Sequence, residues 1–228
     1  MKKFFILFTA AGFFITSCNN NNDSFVTSDS ASDSNAVATT HGDAMHGAAT
    51  PVGQDTAGMA RGLMPGMSSM MAGMKSMQMT SDFDADYANA MIMHHQGALD
   101  MAQVALSEGQ DAKIKSMAQQ IISKQKTEQD NLKTFLQNYK PSGMKHGEGA
   151  LQKSMDAMAA KMMKMPMSSI TDQDFATMMI AHHEHGIAMD KLEIEHGMDN
   201  PLKAMAKKSI ASQQNEIKAL KAWLATAK

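Results

Sequence analysis

Two pairs of adjacent histidines, His94-His95 and His182-His183, sit among methionines at helical spacing, and their chemistry is that of a soft-metal site. At 100° per residue, Met91, His94, Ala98 and Met101 share one helix face and His95 lies on the adjoining flank, so both imidazoles can look inward. The second pair lies in MMIAHHEHGIAM, where Met178 to His182, Met179 to His183 and His185 to Met189 are each one turn apart. Imidazole with thioether suits copper, and thioether selects Cu(I), for which Ag(I) is the surrogate. If the two helices pack about a pseudo-twofold axis, four to five imidazoles and several thioethers converge.

Methionine occurs 26 times in 228 residues while aromatics make up 5%, and five of the nine Phe fall within the first 14 residues. Thioether must therefore fill much of the core. Met67, Met70, Met74 and Met77 are spaced 3, 4 and 3, and Met155, Met158, Met162 and Met165 repeat that spacing, so each set forms a stripe. Methionine stripes pack cores more often than they bind ions, because the side chain fills irregular gaps. Runs such as Met162-Met163-x-Met165-x-Met167 nevertheless outnumber the positions one face can bury. The single Cys18 excludes an intrachain disulfide framework, a Cys-rich zinc module and a thiolate cluster.

The elements that position these residues are duplicated. At an offset of 88 residues, 84–136 align with 172–224 without gaps, and 19 of the 53 pairs are identical, which identifies a duplication. Asp86/Asp174, Met91/Met179, both dyads, Met101/Met189, Gly109/Gly197, Gln125/Gln213 and Glu128/Glu216 are among them. Each copy divides into a Met-rich helix, a His-His helix (84–107 and 172–196) and a third helix (111–138 and 200–227). Ser81 with Asp84, and Thr171 with Asp174, predict capping boxes, while Gly109 and Gly197 supply stops. Asn200-Pro201 predicts an N-cap followed by proline at the first helical position. No segment has strand periodicity, so the fold class is all-α, two superposable hairpins packed as one bundle.

Lys2 and Lys3 precede an apolar run too short to span a bilayer, which ends in Ile15-Thr16-Ser17-Cys18 and resembles a bacterial lipobox. Residues 1–17 read as a lipoprotein signal peptide, Cys18 as the lipidated terminus, and 18–62 as a disordered tether poor in large apolar residues. His41, Met45 and His46 form a small donor cluster within it. Then follow repeat 1 (63–140), a linker (141–150) and repeat 2 (151–228). The expected location is the bacterial cell envelope, lipid-anchored and periplasmic or outer-membrane facing. Without residues 1–17 the chain has 19 basic against 23 acidic side chains, a formal charge of −4, which argues against a nucleic-acid partner.

The segments DADYANAMIMHHQGALDMAQVAL and DQDFATMMIAHHEHGIAMDKL resemble domain-of-unknown-function family 305, over about residues 82–226. The resemblance implies a ferritin-like four-helix bundle, here with added Met-rich helices. With those helices the chain is similar to the CopM-type periplasmic copper-binding members, which implies copper binding and copper tolerance; a metal-binding protein rather than an enzyme is expected. The family motif falls on Met91, His94, His95 and Met101, and on Met179, His182, His183 and Met189. The second copy departs at His185, which stands where the first has Gly97. Two other classes compete. Glu193-x-x-His196 has the spacing of half a di-iron site, but its counterparts are Ala105 and Glu108. A metal-free module using a pliable methionine surface to hold peptides is the other. Ordinary imidazole chemistry predicts that dyad sites weaken as pH falls through about 6.5.

Overall fold

The computed structural model describes residues 62–147 and 149–227. Cys18, residues 1–17, the tether up to residue 61 and its His41/Met45/His46 cluster lie outside them. Six helices account for the regular structure among the described residues: α1 (Leu63–Ser76), α2 (Phe83–Glu108), α3 (Ala112–Asn138), α4 (Ala150–Met162), α5 (Thr171–His196) and α6 (Asn200–Leu224). The fold is all-α. α2 pairs with α3 and α5 with α6 as hairpins, and the hairpins meet where α2 lies against α5. α1 covers α2, α4 covers α5, and α1 and α4 touch each other.

The duplication sets how the hairpins lock. An N-terminal turn leaves backbone N–H groups without partners. Asp84, in the first turn of α2, accepts from the N–H groups of Met198 and Asp199 at 2.9–3.1 Å, in the turn before α6. Its counterpart Asp172, at the start of α5, accepts from Gln110 and Asp111 at 2.9 and 3.0 Å, in the turn before α3. Each leading helix thus caps the opposite hairpin, which makes α2 and α5 antiparallel.

The predicted capping boxes do not form. Ser81 and Ser169 take positive φ (69° and 66°), and the working acids are Asp86 and Asp174, one turn into each helix. Asp86 accepts from Thr80 N, Thr80 Oγ1 and Ser81 N at 2.8–3.1 Å, and Asp174 accepts likewise from Ser168 and Ser169. The caps of α2, α3 and α6 are Asp82, Asp111 and Asp199, so the last precedes the predicted Asn200 by one residue. Gly109 and Gly197 do end helices, but with φ of −61° rather than in the left-handed region. They are needed for room. A Cβ on Gly109 would lie 2.5 Å from both Ala105 O and the capping carboxylate of Asp172.

Methionine fills the core as composition implied. Met67, Met70, Met74, Met91, Met101, Met155, Met158, Met162, Met178, Met179 and Met189 are buried, among alanines such as Ala88, Ala98 and Ala102 that let α2 approach its neighbours closely. Met77 and Met165 are half-buried. Met163 is 80% exposed, so one sulfur of the α4 run faces solvent.

Candidate metal centre

α2 and α5 cross at the dyads, and the internal twofold runs between His94 and His182. Their rings stack with centroids 3.7 Å apart and planes 25° from parallel. His185 joins them, its ring 5.0 Å from that of His94. All three are buried. His182 Nε2 lies 2.9 Å from the His94 carbonyl oxygen and so donates to it, which leaves Nδ1 as the lone-pair nitrogen. His185 Nε2 lies 3.3 Å from Ser154 Oγ on α4. His182 Nδ1, His185 Nδ1 and both nitrogens of His94 have no hydrogen-bond partner.

The expectation that four to five imidazoles converge is therefore corrected to three. Adjacent residues on a helix point about 100° apart, so when His94 and His182 face the partner hairpin their neighbours turn to their own. His95 Nε2 is 3.2 Å from Glu128 Oε2 on α3, and His183 Nε2 is 2.8 Å from Glu216 Oε2 on α6. Glu128 and Glu216 were visible as an identical pair in the duplication, which is the signal that marks them.

Burial holds the His94 and His182 imidazoles well below their usual range, and the neighbouring imidazoles add to it. Burial likewise brings His185 to about 4. The inner cluster is thus neutral at pH 7 and ready to donate lone pairs without first losing protons. The sequence-based pH threshold of about 6.5 consequently moves lower for these three residues.

Thioether fills the core of the same helices. Met91 and Met101 are buried on α2, Met178, Met179 and Met189 on α5, and Met67, Met70, Met74, Met155, Met158 and Met162 on the two covering helices. Met70 Sδ rests on α2 at Gly97, where a Cβ would come within 2.6 Å of it. In the second copy the place of Gly97 belongs to His185, which explains why the fifth imidazole occurs once. A groove of about 220 Å³ between α1 and α4, lined by Met71, Met74, Met155, Met158 and Met163, opens this sulfur-rich layer to solvent.

Among the described residues no three His, Cys, Asp or Glu side chains bring their donor atoms together to share one ion, the three inner imidazoles included. Glu193 and His196 do not act together: Glu193 lies against Asp84, and burial followed by the Asp84 charge pushes its carboxyl up to about 9, while the His196 ring packs on Phe83 at 5.4 Å. A metal centre here needs sulfur to complete it.

The family model described as "Domain of unknown function (DUF305)" matches residues 28–136 and again 84–224. No curated protein matches the chain. Among solved structures, a DUF305 fragment from Deinococcus radiodurans is 22% identical over 64% of this chain and 97% of that one, with a TM-score of 0.49. CopM in its Ag-bound form is 28% identical over 66% and 98%, and in its Cu(I)-bound form 27% identical over 65% and 98%, both with a TM-score of 0.49.

Proposed function

This chain belongs to the DUF305 family, and with that as premise we propose that it binds monovalent copper, with silver as surrogate, through its inner imidazoles and buried thioethers. The observation that carries this is the cluster of His94, His182 and His185, buried, neutral and with unpaired nitrogens, in a core built largely of methionine. A buried polar group without a partner costs roughly 1–3 kcal/mol, and a soft ion taking up these lone pairs would offset that cost. Packing alone leaves the unpaired nitrogens without a reason, and a peptide-holding surface has no use for them in the interior.

The protein acts as a metal-binding protein rather than an enzyme. It is a lipoprotein of the bacterial cell envelope, anchored through Cys18, that sequesters or buffers Cu(I) and contributes to copper tolerance. Thioethers suit that compartment because they bind soft ions without forming disulfides. The α1/α4 groove, with exposed Met163 at its edge, gives an ion a route of sulfur donors towards the interior.

Competition for Cu(I) with a coloured chelator tests the reading. Replacing His94, His182 and His185 together by Ala is expected to lower the Cu(I) stoichiometry at pH 7. Replacing Met155, Met158, Met162 and Met165 by Leu is expected to remove a further fraction. Unchanged stoichiometry in the histidine variant would return the cluster to core packing.

A further inference from the structure

Charge is divided unevenly among the helices. α3 and α6 together carry ten lysines against three acids, while α1, α2, α4 and α5 together carry four lysines against eleven acids. The whole chain is slightly acidic, at −2, so the lysines are segregated rather than abundant. The three acids do little to mask them. Glu128 and Glu216 turn to His95 and His183, and only Asp130, 64% exposed, stands outside. α3 and α6 lie side by side, since Lys124 Nζ on one reaches Glu216 Oε1 on the other at 2.7 Å. α1 and α4 cover α2 and α5, which leaves the outward sides of α3 and α6 to solvent.

The duplication shows where α6 gained its charge. At the 88-residue offset Lys203 matches Lys115 and Lys221 matches Lys133, so both halves share these. Lys207, Lys208 and Lys218 instead stand where α3 has Gln119, Gln120 and Asp130, a difference of four charges. α3 adds Lys113, Lys124 and Lys126 of its own, so each helix is basic through a different set. Among the described residues the lysines in ion pairs are Lys124, Lys133, Lys161 and Lys221. Lys207, Lys208 and Lys218 are exposed and pair with no carboxylate there.

The setting of these three lysines tells what they fit. Ala204, Ala211 and Ala222, all exposed, share the outward side of α6 with them, and no acid lies on that side. Alanine lets a helix lie close to a flat surface, while the long lysine stems carry their ammonium groups past it. The charges are strung along the helix, with a rise of about 16 Å between Lys207 and Lys218, instead of converging on one pocket. Arginine, which grips a single phosphate in a bidentate fork, is absent from the described residues. A broad, diffuse array of anions is the matching partner.

We propose that α3 and α6, centred on the outward side of α6, form a docking surface for an anionic phospholipid membrane. The membrane is the occupant because the Cys18 anchor, itself proposed above, holds the chain at such a surface, and each lysine near an anionic bilayer strengthens binding by roughly fivefold. Net charge does not oppose this. Screening confines the attraction to about 8 Å at physiological salt, so the acids of α2 and α5, lying behind α3 and α6, contribute little. Docking in this way leaves the α1/α4 groove uncovered, because its lining comes from α1, α4 and Met163.

The test is co-sedimentation of the mature chain with lipid vesicles. Cys18→Ala removes the acyl chains, so the surface is measured alone and a failure of the anchor reading registers separately, in cell fractionation. Vesicles of phosphatidylcholine with about a third phosphatidylglycerol are expected to bind the chain at low salt, vesicles of phosphatidylcholine are not, and about 0.5 M salt is expected to weaken binding at least tenfold. Lys207→Gln with Lys208→Gln and Lys218→Asp installs the residues that α3 has at these positions. It is expected to weaken binding by at least about tenfold. The same charge change on the other side, Lys75→Gln with Lys153→Gln and Lys164→Asp, is expected to stay within about twofold of the parent. Circular dichroism checks that both variants keep their helices, and Lys207→Ala with Lys208→Ala, which favours the helix, is a milder version of the first. No preference for the anionic vesicles, equal weakening by the two triple variants, or duplex DNA held as tightly as the vesicles overturns the proposal.

Discussion

At the scale of single residues, burial decides the chemistry more than residue type does. The same imidazole that titrates near 6.5 in water is held neutral in His94, His182 and His185, with His185 brought to about 4. The sign follows directly: below pH 6.5 the unfolded chain takes up protons that these folded residues refuse, so stability falls as pH drops from about 6.5 towards 4. Cu(I) binding should hold over the same interval. An imidazole of ordinary pKa would lose about tenfold in affinity between pH 7.5 and 5.5, whereas the inner cluster is expected to lose less than about twofold, as chelator competition at the two pH values will measure. Glu193 behaves oppositely. Its folded carboxyl, raised to about 9, keeps a proton that the unfolded chain releases near 4.5, so stability is lost as pH rises from 4.5 through 9. Glu193→Gln supplies a neutral side chain of the same shape. It is expected to stabilise the fold at pH 7 by about 2 kcal/mol in urea unfolding, with the gain vanishing near pH 4.5. No gain at pH 7 would mean that the carboxyl is already ionised in the folded state.

At the scale of elements, the helix ends hold the two halves together. Asp84 and Asp172 each accept two backbone N–H groups from the opposite hairpin, and charged acceptors of this kind contribute more than neutral ones. Asp172→Ala is expected to cost about 2 kcal/mol in chemical denaturation. Asp84→Ala is expected to cost less, because Asp84 lies against Glu193 whereas the counterpart of Glu193 in the other half is Ala105. Equal costs would show that Asp84 does not help to raise the Glu193 carboxyl. Gly97 poses a different problem. A methyl there would meet Met70 Sδ, so Gly97→Ala is expected to displace that sulfur and reduce Cu(I) retention while the helix itself, which prefers Ala, persists in circular dichroism.

At the scale of the whole molecule, duplication supplies symmetry and divergence breaks it. The stacked His94 and His182 lie on the internal axis, where the two copies must meet. Away from it the halves are free to differ, as Gly97 against His185, Tyr87 against Phe175, and Ser212 against Lys124 do. The proposed envelope location belongs to this scale too: Cys18→Ala is expected to move the protein from the membrane to the soluble fraction, with loss of label from a radioactive fatty acid. A variant that still sediments with membranes, from a parent that takes up no label, would refute the lipid anchor.

The sequence by itself determined the helical class, the duplication, the stripes of methionine and the dyads, because those depend on periodicity and on a fixed offset that survive without coordinates. It also contained Glu128 and Glu216 as an identical pair, though nothing local says that they meet His95 and His183. Only the tertiary structure decided which imidazole of each dyad faces the partner hairpin, since a 100° step between neighbours is known from sequence but the rotation of the helix about its axis is set by packing. The same holds for the caps. Ser81 and Thr171 satisfy the local rule for a capping box, yet Asp84 and Asp172 reach turns more than 60 residues away in the chain, and such long-range partners exist only once two antiparallel helices have brought them together.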